Sequence, residues 1–306
     1  MSAGYDYGNA RLAGLRGRLV DFACLRRLGQ AAGPGEFAAL LGQEPDWRSI
    51  GSSPGERGRD GRAAAEDLIE RWRATRQRGL LRYYEPPIRR LVEALVMPLD
   101  ADRVTAILRR RRAGTWGAAA PGTVAPGALL DQGTLDRLAG MPTDAAFLRA
   151  LGGTGLLGPE AAAALATLAE EAATSSEPEA RAAATEAGLR AAVDRARAAR
   201  AQGRGPDAAF LRVLLAGEAA DRDAVAAELA ATGPAPAALL ERGLLLKRWS
   251  ALERWAYRDP LGIGPVAAYV AAVELTVVRL RAVLARVAGA WRDPDAAPYL
   301  AGATGS

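Results

Sequence analysis

DPLGIGPVAAYVAAVELTVVRLRAVLARVAG, residues 259–289, sets an apolar run behind two prolines and two glycines and closes with Arg279, Arg281 and Arg286 ahead of Gly289. Three readings compete for it. As a membrane span it would run from Leu261 to Val278, but spanning takes about 20 predominantly apolar residues, and Glu274 at mid-membrane would cost about 2.5–3.5 kcal/mol. As a nucleotide turn, Gly262-Ile-Gly264-Pro-Val-Ala267 matches G-x-G-x-x-A. That motif needs a buried strand immediately before it, and ERWAYRDPL is not one. GRGPDA at 203–208 matches the same pattern, again without a strand. As a packed helix, Val266, Val270, Val273, Val277, Leu280, Leu284 and Val287 follow steps of four and three, one continuous apolar stripe. Pro265 suits the first turn. Such a helix would be about 35 Å long, and each buried Val or Leu would contribute about 1.5–3 kcal/mol before entropy is subtracted. The stripe predicts a packing seam.

The rest of the chain has the same character. Half of its 306 residues are hydrophobic but only 6% are aromatic. Alanine, leucine and arginine dominate, all strong helix formers, and strand-filling residues are sparse. The expected fold class is therefore all-α. Length alone allows two or three domains. Basic residues outnumber acidic ones 40 to 35, and Lys247 is the only lysine. That surplus permits contact with phosphates without demanding it. Histidine is absent, which excludes His-based triads and His-ligated metal sites, and the single Cys24 excludes thiolate clusters and internal disulfides. Cys24 reads as a small apolar filler in the helical pattern LVDFACLRRL, and one thiol in a chain of this size fits a reducing cytosol. The opening MSAGYDYGNARLAG carries no apolar core of a secretory signal.

Glycine and proline punctuate the sequence at GSSPGERGRDG (51–61), APGTVAPG (120–127) and TGPAPA (232–237). Three helical stretches, 103–114, 194–203 and 279–289, carry arginines through their last turns and stop at Gly114, Gly203 and Gly289. This spacing suggests three related units of roughly 90 residues, 1–118, 119–207 and 208–306. Leucine-rich segments precede each ending, and DAAFLR at 144–149 recurs at 207–212, out of phase with these units. The run Arg109 to Arg112 points in four directions around a helix and reads as a solvated helix end. Acids are plentiful, but no pair sits in a recognisable catalytic frame.

Two segments carry a family likeness. YDYGNARLAGLRGRLVD, 5–21, resembles the N-terminal helix of the C/d family of central-stalk connectors in the V/A-type rotary ATPases, the d-type member being that of the eukaryotic V-ATPase. RDPLGIGPVAAYVAAVELTVVRLRAVLARVAG, 258–289, resembles that family's C-terminal signature, fitted by Asp259, Pro260, Leu261, Gly262, Gly264, Tyr269, Glu274, Leu280 and Arg281. Where the family commonly has lysine, glutamate and asparagine in the last helix, this chain has Val273, Thr276 and Arg279. The Asp-x-x-Asn-Leu theme survives only as Asp100, Asp102 and Arg103, with Asp194 at the asparagine position of the second unit.

The resemblance implies a funnel-shaped array of three pseudo-equivalent helical units standing on the cytoplasmic face of the cell membrane, peripheral to it and without a transmembrane span. It implies a connector that receives the central-shaft subunits, rests on the membrane rotor ring, and transmits torque for proton or sodium transport, with no nucleic acid, metal, cofactor or catalytic residue of its own. Asp259, Pro260, Leu261, Gly262, Gly264, Tyr269 and Arg281 are the interface residues it points to. The rival reading is an arginine-rich helical nucleic-acid-binding module, whose affinity would fall steeply with salt. A small-molecule enzyme is third, supported by the glycine-rich turns alone.

Overall fold

The computed structural model describes residues 5–50, 60–113 and 125–292. Every regular element among them is a helix. In chain order these are α1 (Asp6–Arg16), α2 (Phe22–Leu28), α3 (Pro34–Gly42), α4 (Pro45–Arg48), α5 (Gly61–Leu80), α6 (Pro86–Arg112), α7 (Gln132–Ala139), α8 (Asp144–Leu151), α9 (Pro159–Ala173), α10 (Pro178–Arg200), α11 (Pro206–Thr232), α12 (Pro234–Arg258) and α13 (Gly264–Val287). None is long and apolar enough to cross a membrane, so the span weighed for 261–278 is not realised among the described residues. Prolines stand in the first turn of α3, α4, α9, α10, α12 and α13, where their missing N–H costs nothing. Of the expected breaks, 51–59 and 120–124 lie outside the described residues, as does Gly114. The third narrows to Gly233, whose φ of 93° ends α11 and starts α12.

By contact the chain forms two compact units, residues 1–88 with 216–306, and residues 89–215. This grouping is a different quantity from the three-module division at 118 and 207, and it leaves that division open.

In the first unit the decisive stretch becomes the central helix. α13 packs against α12, α5, α1, α2 and α3. Val266, Val273, Val277, Leu280 and Leu284 of its stripe are buried, with Val270 and Val287 half-buried. The helix ends as its sequence predicts. Gly289 takes φ 69°, its N–H donates to the Arg286 carbonyl at 2.9 Å, and the Ala290 N–H donates to the Ala285 carbonyl at 2.9 Å. That pair of bonds is a Schellman cap, and only glycine enters its left-handed position cheaply.

The core of the second unit is built from α6 (Ile107, Leu108), α7 (Leu135, Leu138), α8 (Phe147, Leu151), α9 (Leu165) and α10 (Leu189). Two buried polar side chains fasten it. Asp100, fully buried on α6, accepts the N–H groups of Leu129 (3.0 Å) and Leu130 (2.8 Å). Gly127 makes room for that carboxylate: a β-carbon there would stand 1.9 Å from Asp100 Oδ1. Arg197, 2% exposed on α10, donates from Nε to the Ala94 carbonyl at 2.7 Å. Ala94 is the residue four before Pro98, the proline inside α6. Proline has no N–H, so the Ala94 carbonyl lacks its helical donor, and the Arg197 guanidinium supplies one.

One short design occurs in each unit. Asp21 caps α2 by accepting the Cys24 N–H at 2.7 Å, and Asp131 caps α7 by accepting the Thr134 N–H at 2.7 Å. Four, seven, sixteen and twenty residues after each Asp come buried residues of matching type, Leu25, Leu28, Phe37 and Leu41 in one and Leu135, Leu138, Phe147 and Leu151 in the other. Asp194 has the same sixteen-residue spacing to Phe210, with Ala201 buried at the seventh position. There the Asp lies inside α10 and caps nothing.

Candidate interaction surface

The loop between α12 and α13 is held from the other end of the chain. Asn9, buried on α1, donates from its side-chain amide to the carbonyls of Pro260 (2.8 Å) and Gly262 (3.1 Å). Its own side-chain oxygen accepts from the Tyr84 hydroxyl at 2.9 Å. One amide thus bridges three chain segments, and every polar atom it brings into the interior is used. Gly8 lets the Tyr84 ring close over α1, since a β-carbon there would lie 2.2 Å from the ring. Burial, then the neighbouring Tyr83, pushes the Tyr84 hydroxyl well above the usual phenol range. Asn9→Ala should orphan two carbonyls at the loop and the Tyr84 hydroxyl, destabilising the protein by about 1–3 kcal/mol in urea titration. An unchanged midpoint would mean that the loop holds itself.

The sequence-derived interface residues separate into three groups. Asp259, Pro260, Leu261, Gly262 and Gly264 come together at the loop. Leu261 is exposed, while Gly262 and Gly264 are buried. Gly264 is filled from outside: a β-carbon there would stand 2.4 Å from Trp255 Cδ1. The space that a phosphate would need in a nucleotide turn is therefore occupied by an indole, and no strand precedes it among the described residues. Tyr269 is fully buried in the core. Its hydroxyl makes no hydrogen bond of ordinary geometry, and burial pushes its pKa up to about 12 against the pull of the Arg76 guanidinium, which is ion-paired with Asp46. Arg281 lies towards the far end of α13, paired with Glu66 at 3.1 Å and with Glu70. Tyr269 and Arg281 therefore hold the fold together and do not share the loop's surface.

Of the large exposed apolar side chains on α1, α12 and the loop, Leu261 is among the residues singled out in the sequence, and the others are not. Tyr257 is 90% exposed, Tyr7 62%, Leu261 47% and Trp255 40%, an unusual concentration of large apolar side chains in solvent. Tyr7 meets Tyr83 edge-on at 6.3 Å and carries Arg11 over its ring. No protein-family model matches this chain, and no curated protein matches it.

The charged residues are largely spent on structure. Glu274 receives Arg73 in a two-point pair (2.7 Å each) and Gln77 at 2.5 Å. Thr276 donates to the Ala272 carbonyl within α13, and Val273 is fully buried. In the arginine run at 109–112, Arg109 and Arg110 are exposed as a solvated helix end would be, while Arg111 and Arg112 are not. Arg111 binds Asp144 and the carbonyls of Ala139 and Met141, and Arg112 binds Asp144, Glu186 and the Ala182 carbonyl. Both cross-link the last turn of α6 to α7, α8 and α10, because Asp144 and Glu186 lie within reach of that turn. Among the described residues no three His, Cys, Asp or Glu side chains converge as a metal site.

Two hollows remain. One of about 350 Å³ is lined by Arg18, Asp21, Cys24, Glu44, Asp46 and Trp47. Burial is the main cause that pushes the Cys24 thiol up, which keeps it protonated and poorly nucleophilic. The other, about 730 Å³, lies among α8, α9 and α10 over an alanine-rich floor with Arg112, Asp144, Glu170 and Glu179 on its lining.

Proposed function

We propose that this chain is the central-stalk connector of a V/A-type rotary ATPase: a non-catalytic, cofactor-free component, peripheral to the cytoplasmic face of the membrane, that couples the central shaft to the rotor ring during ATP-driven or ATP-forming proton or sodium transport. The observation that carries the reading is the Asn9 clamp. The two segments that resemble the family lie about 250 residues apart in sequence, and the side chain of one is hydrogen-bonded to the backbone of the other (|i−j| of 251 and 253). Arg16 adds an ion pair to Glu253 on α12. The resembling residues thus form one physical assembly.

A funnel of three pseudo-equivalent units belongs to the same proposal. The regular spacing of the closing glycines and the resemblance support three modules; the Asp-to-Phe spacing at Asp21, Asp131 and Asp194 recurs at unequal intervals and does not mark the same units. Exposed Tyr257 and Leu261 give the loop and the end of α12 beside it an apolar surface suited to a protein partner. Close-packed helices with low compressibility suit a part that passes on torque. The arginine pairings described above weaken the nucleic-acid reading, because a guanidinium already paired with a carboxylate has little left for a phosphate.

The test is purification of the rotary complex in mild detergent from the native cell. The chain should co-purify with ring and shaft subunits, and its deletion should abolish ATP-driven ion pumping. Replacing Tyr257 and Leu261 by Ser should release it from the complex while leaving its melting temperature within about 2 °C of the parent, as expected of exposed positions. Absence from the complex, or pumping that survives deletion, overturns the proposal.

A further inference from the structure

We propose that the hollow among α8, α9 and α10 is a binding site for a small apolar molecule that carries one primary ammonium group. The site goes beyond the connector role and does not depend on it.

The hollow has a volume of about 730 Å³, and every residue lining it belongs to the second unit. Sites for small molecules run from about 300 to 1,000 Å³. The space exists because alanines face it from three helices: Ala145 on α8, Ala169, Ala172 and Ala173 on α9, and Ala182 on α10. A methyl group reaches too short a distance to fill the gap between helices, so the floor is apolar and open to solvent. Covering it with the apolar body of a ligand removes that surface from water, which is the favourable part of binding.

Charge selects the other end of the ligand. The one guanidinium on the lining among the described residues is that of Arg112. It is already bonded to Asp144, Glu186 and the Ala182 carbonyl, which leaves little for an anionic ligand. Three carboxylates face the same space. Asp144 is held by Arg111 and Arg112, and Glu170 is paired with Arg149. Glu179, exposed in the first turn of α10, has no ion pair or hydrogen bond among the described residues. The helix ends add to the negative field. α9 finishes at the hollow with no basic residue in its last turn, whereas the positive poles of α8 and α10 are offset by Asp144 and Glu179 in their first turns. One negative charge is thus left over, and a monocation complements it.

The lining also distinguishes between kinds of cation. It holds no aromatic ring among the described residues, so a quaternary ammonium would find no aromatic cage. It does hold hydrogen-bond acceptors. The Glu179 carboxylate is one, and the Thr174 hydroxyl is another, its proton being given to the Glu171 carbonyl at 3.3 Å while its lone pairs remain available. Three N–H donors on a primary ammonium suit such groups.

The test uses the full-length chain and three probes on one skeleton: 4-phenylbutylamine, 4-phenylbutan-1-ol and 4-phenylbutanoate. Each is titrated by calorimetry near neutral pH, where the amine is protonated, at constant ionic strength. The amine is expected to bind saturably with a millimolar or tighter Kd, as fits a ligand of about 11 heavy atoms. The alcohol should bind at least threefold and the carboxylate at least tenfold more weakly. Glu179→Gln should weaken the amine at least threefold and leave the alcohol unchanged, which a loss of fold would not do. Ala173→Phe, at an exposed position, should fill the hollow and abolish binding of the amine. Should Ala173→Phe fail to fold, the Glu179→Gln comparison of amine with alcohol decides alone. Equal affinity for amine and alcohol, or tighter binding of the carboxylate, overturns the proposal. So does amine binding that is unchanged in Glu179→Gln or in a folded Ala173→Phe, and so does the absence of saturable amine binding by the parent.

Discussion

Replacing Leu280 by Asp is expected to cost at least about 4 kcal/mol. Leu280 is fully buried on the inner stripe of α13, the helix on which five others of the first unit converge. Removing a buried leucine side chain costs about 2–5 kcal/mol where the surroundings cannot close the gap. The incoming carboxylate must also remain charged without a partner or take up a proton, each at a further cost. Against a typical total of about 5–15 kcal/mol, the loss would leave the protein marginal. Urea or thermal unfolding followed by circular dichroism measures it. Val270→Asp on the same stripe should be milder, because Val270 is half-buried and the new charge can reach water. If Leu280→Asp melted like the parent, α13 could not be the core helix of this unit.

That helix was the part of the fold most legible in the sequence, for a physical reason. The apolar period, the proline of the first turn and the glycine of the cap are all local, so 265–289 read as helix and Gly264–Val287 forms one. The absence of strands among the described residues followed equally from composition. What the sequence did not disclose were pairings made across the chain. Asn9 looks like one polar residue in a surface helix until the loop at 260–262 is folded onto it. Gly264 reads as a loop residue, and nothing local says that Trp255 needs its missing side chain. Arg112 looks like part of a solvated end because Asp144 and Glu186 lie 32 and 74 residues away. The interface residues divided for the same reason: Tyr269 and Arg281 share a motif with the loop but belong to the core and to an ion-pair lattice.

Arg197→Met, in the second unit, should cost about 3 kcal/mol. The residue is 2% exposed and its guanidinium is the donor to the Ala94 carbonyl inside a closed core. Losing a charge-assisted hydrogen bond costs about 1.5–3 kcal/mol, and the carbonyl is left without its helical partner because Pro98 has no N–H to give. The cause can be isolated by changing the other side of the arrangement. In a Pro98→Ala background the residue at 98 regains an N–H that reaches back four residues to Ala94, so the carbonyl is satisfied whether or not Arg197 is present. Arg197→Met should then cost at least about 1 kcal/mol less than in the parent, a coupling well above the usual error of additivity. Equal costs in the two backgrounds would mean that Arg197 is needed for its packing or for its contact with Asp194, 3.7 Å away, and not for the proline it faces. Proline within a long helix and a buried arginine each look like local errors, and the cycle asks whether the two are tolerated because one corrects the other.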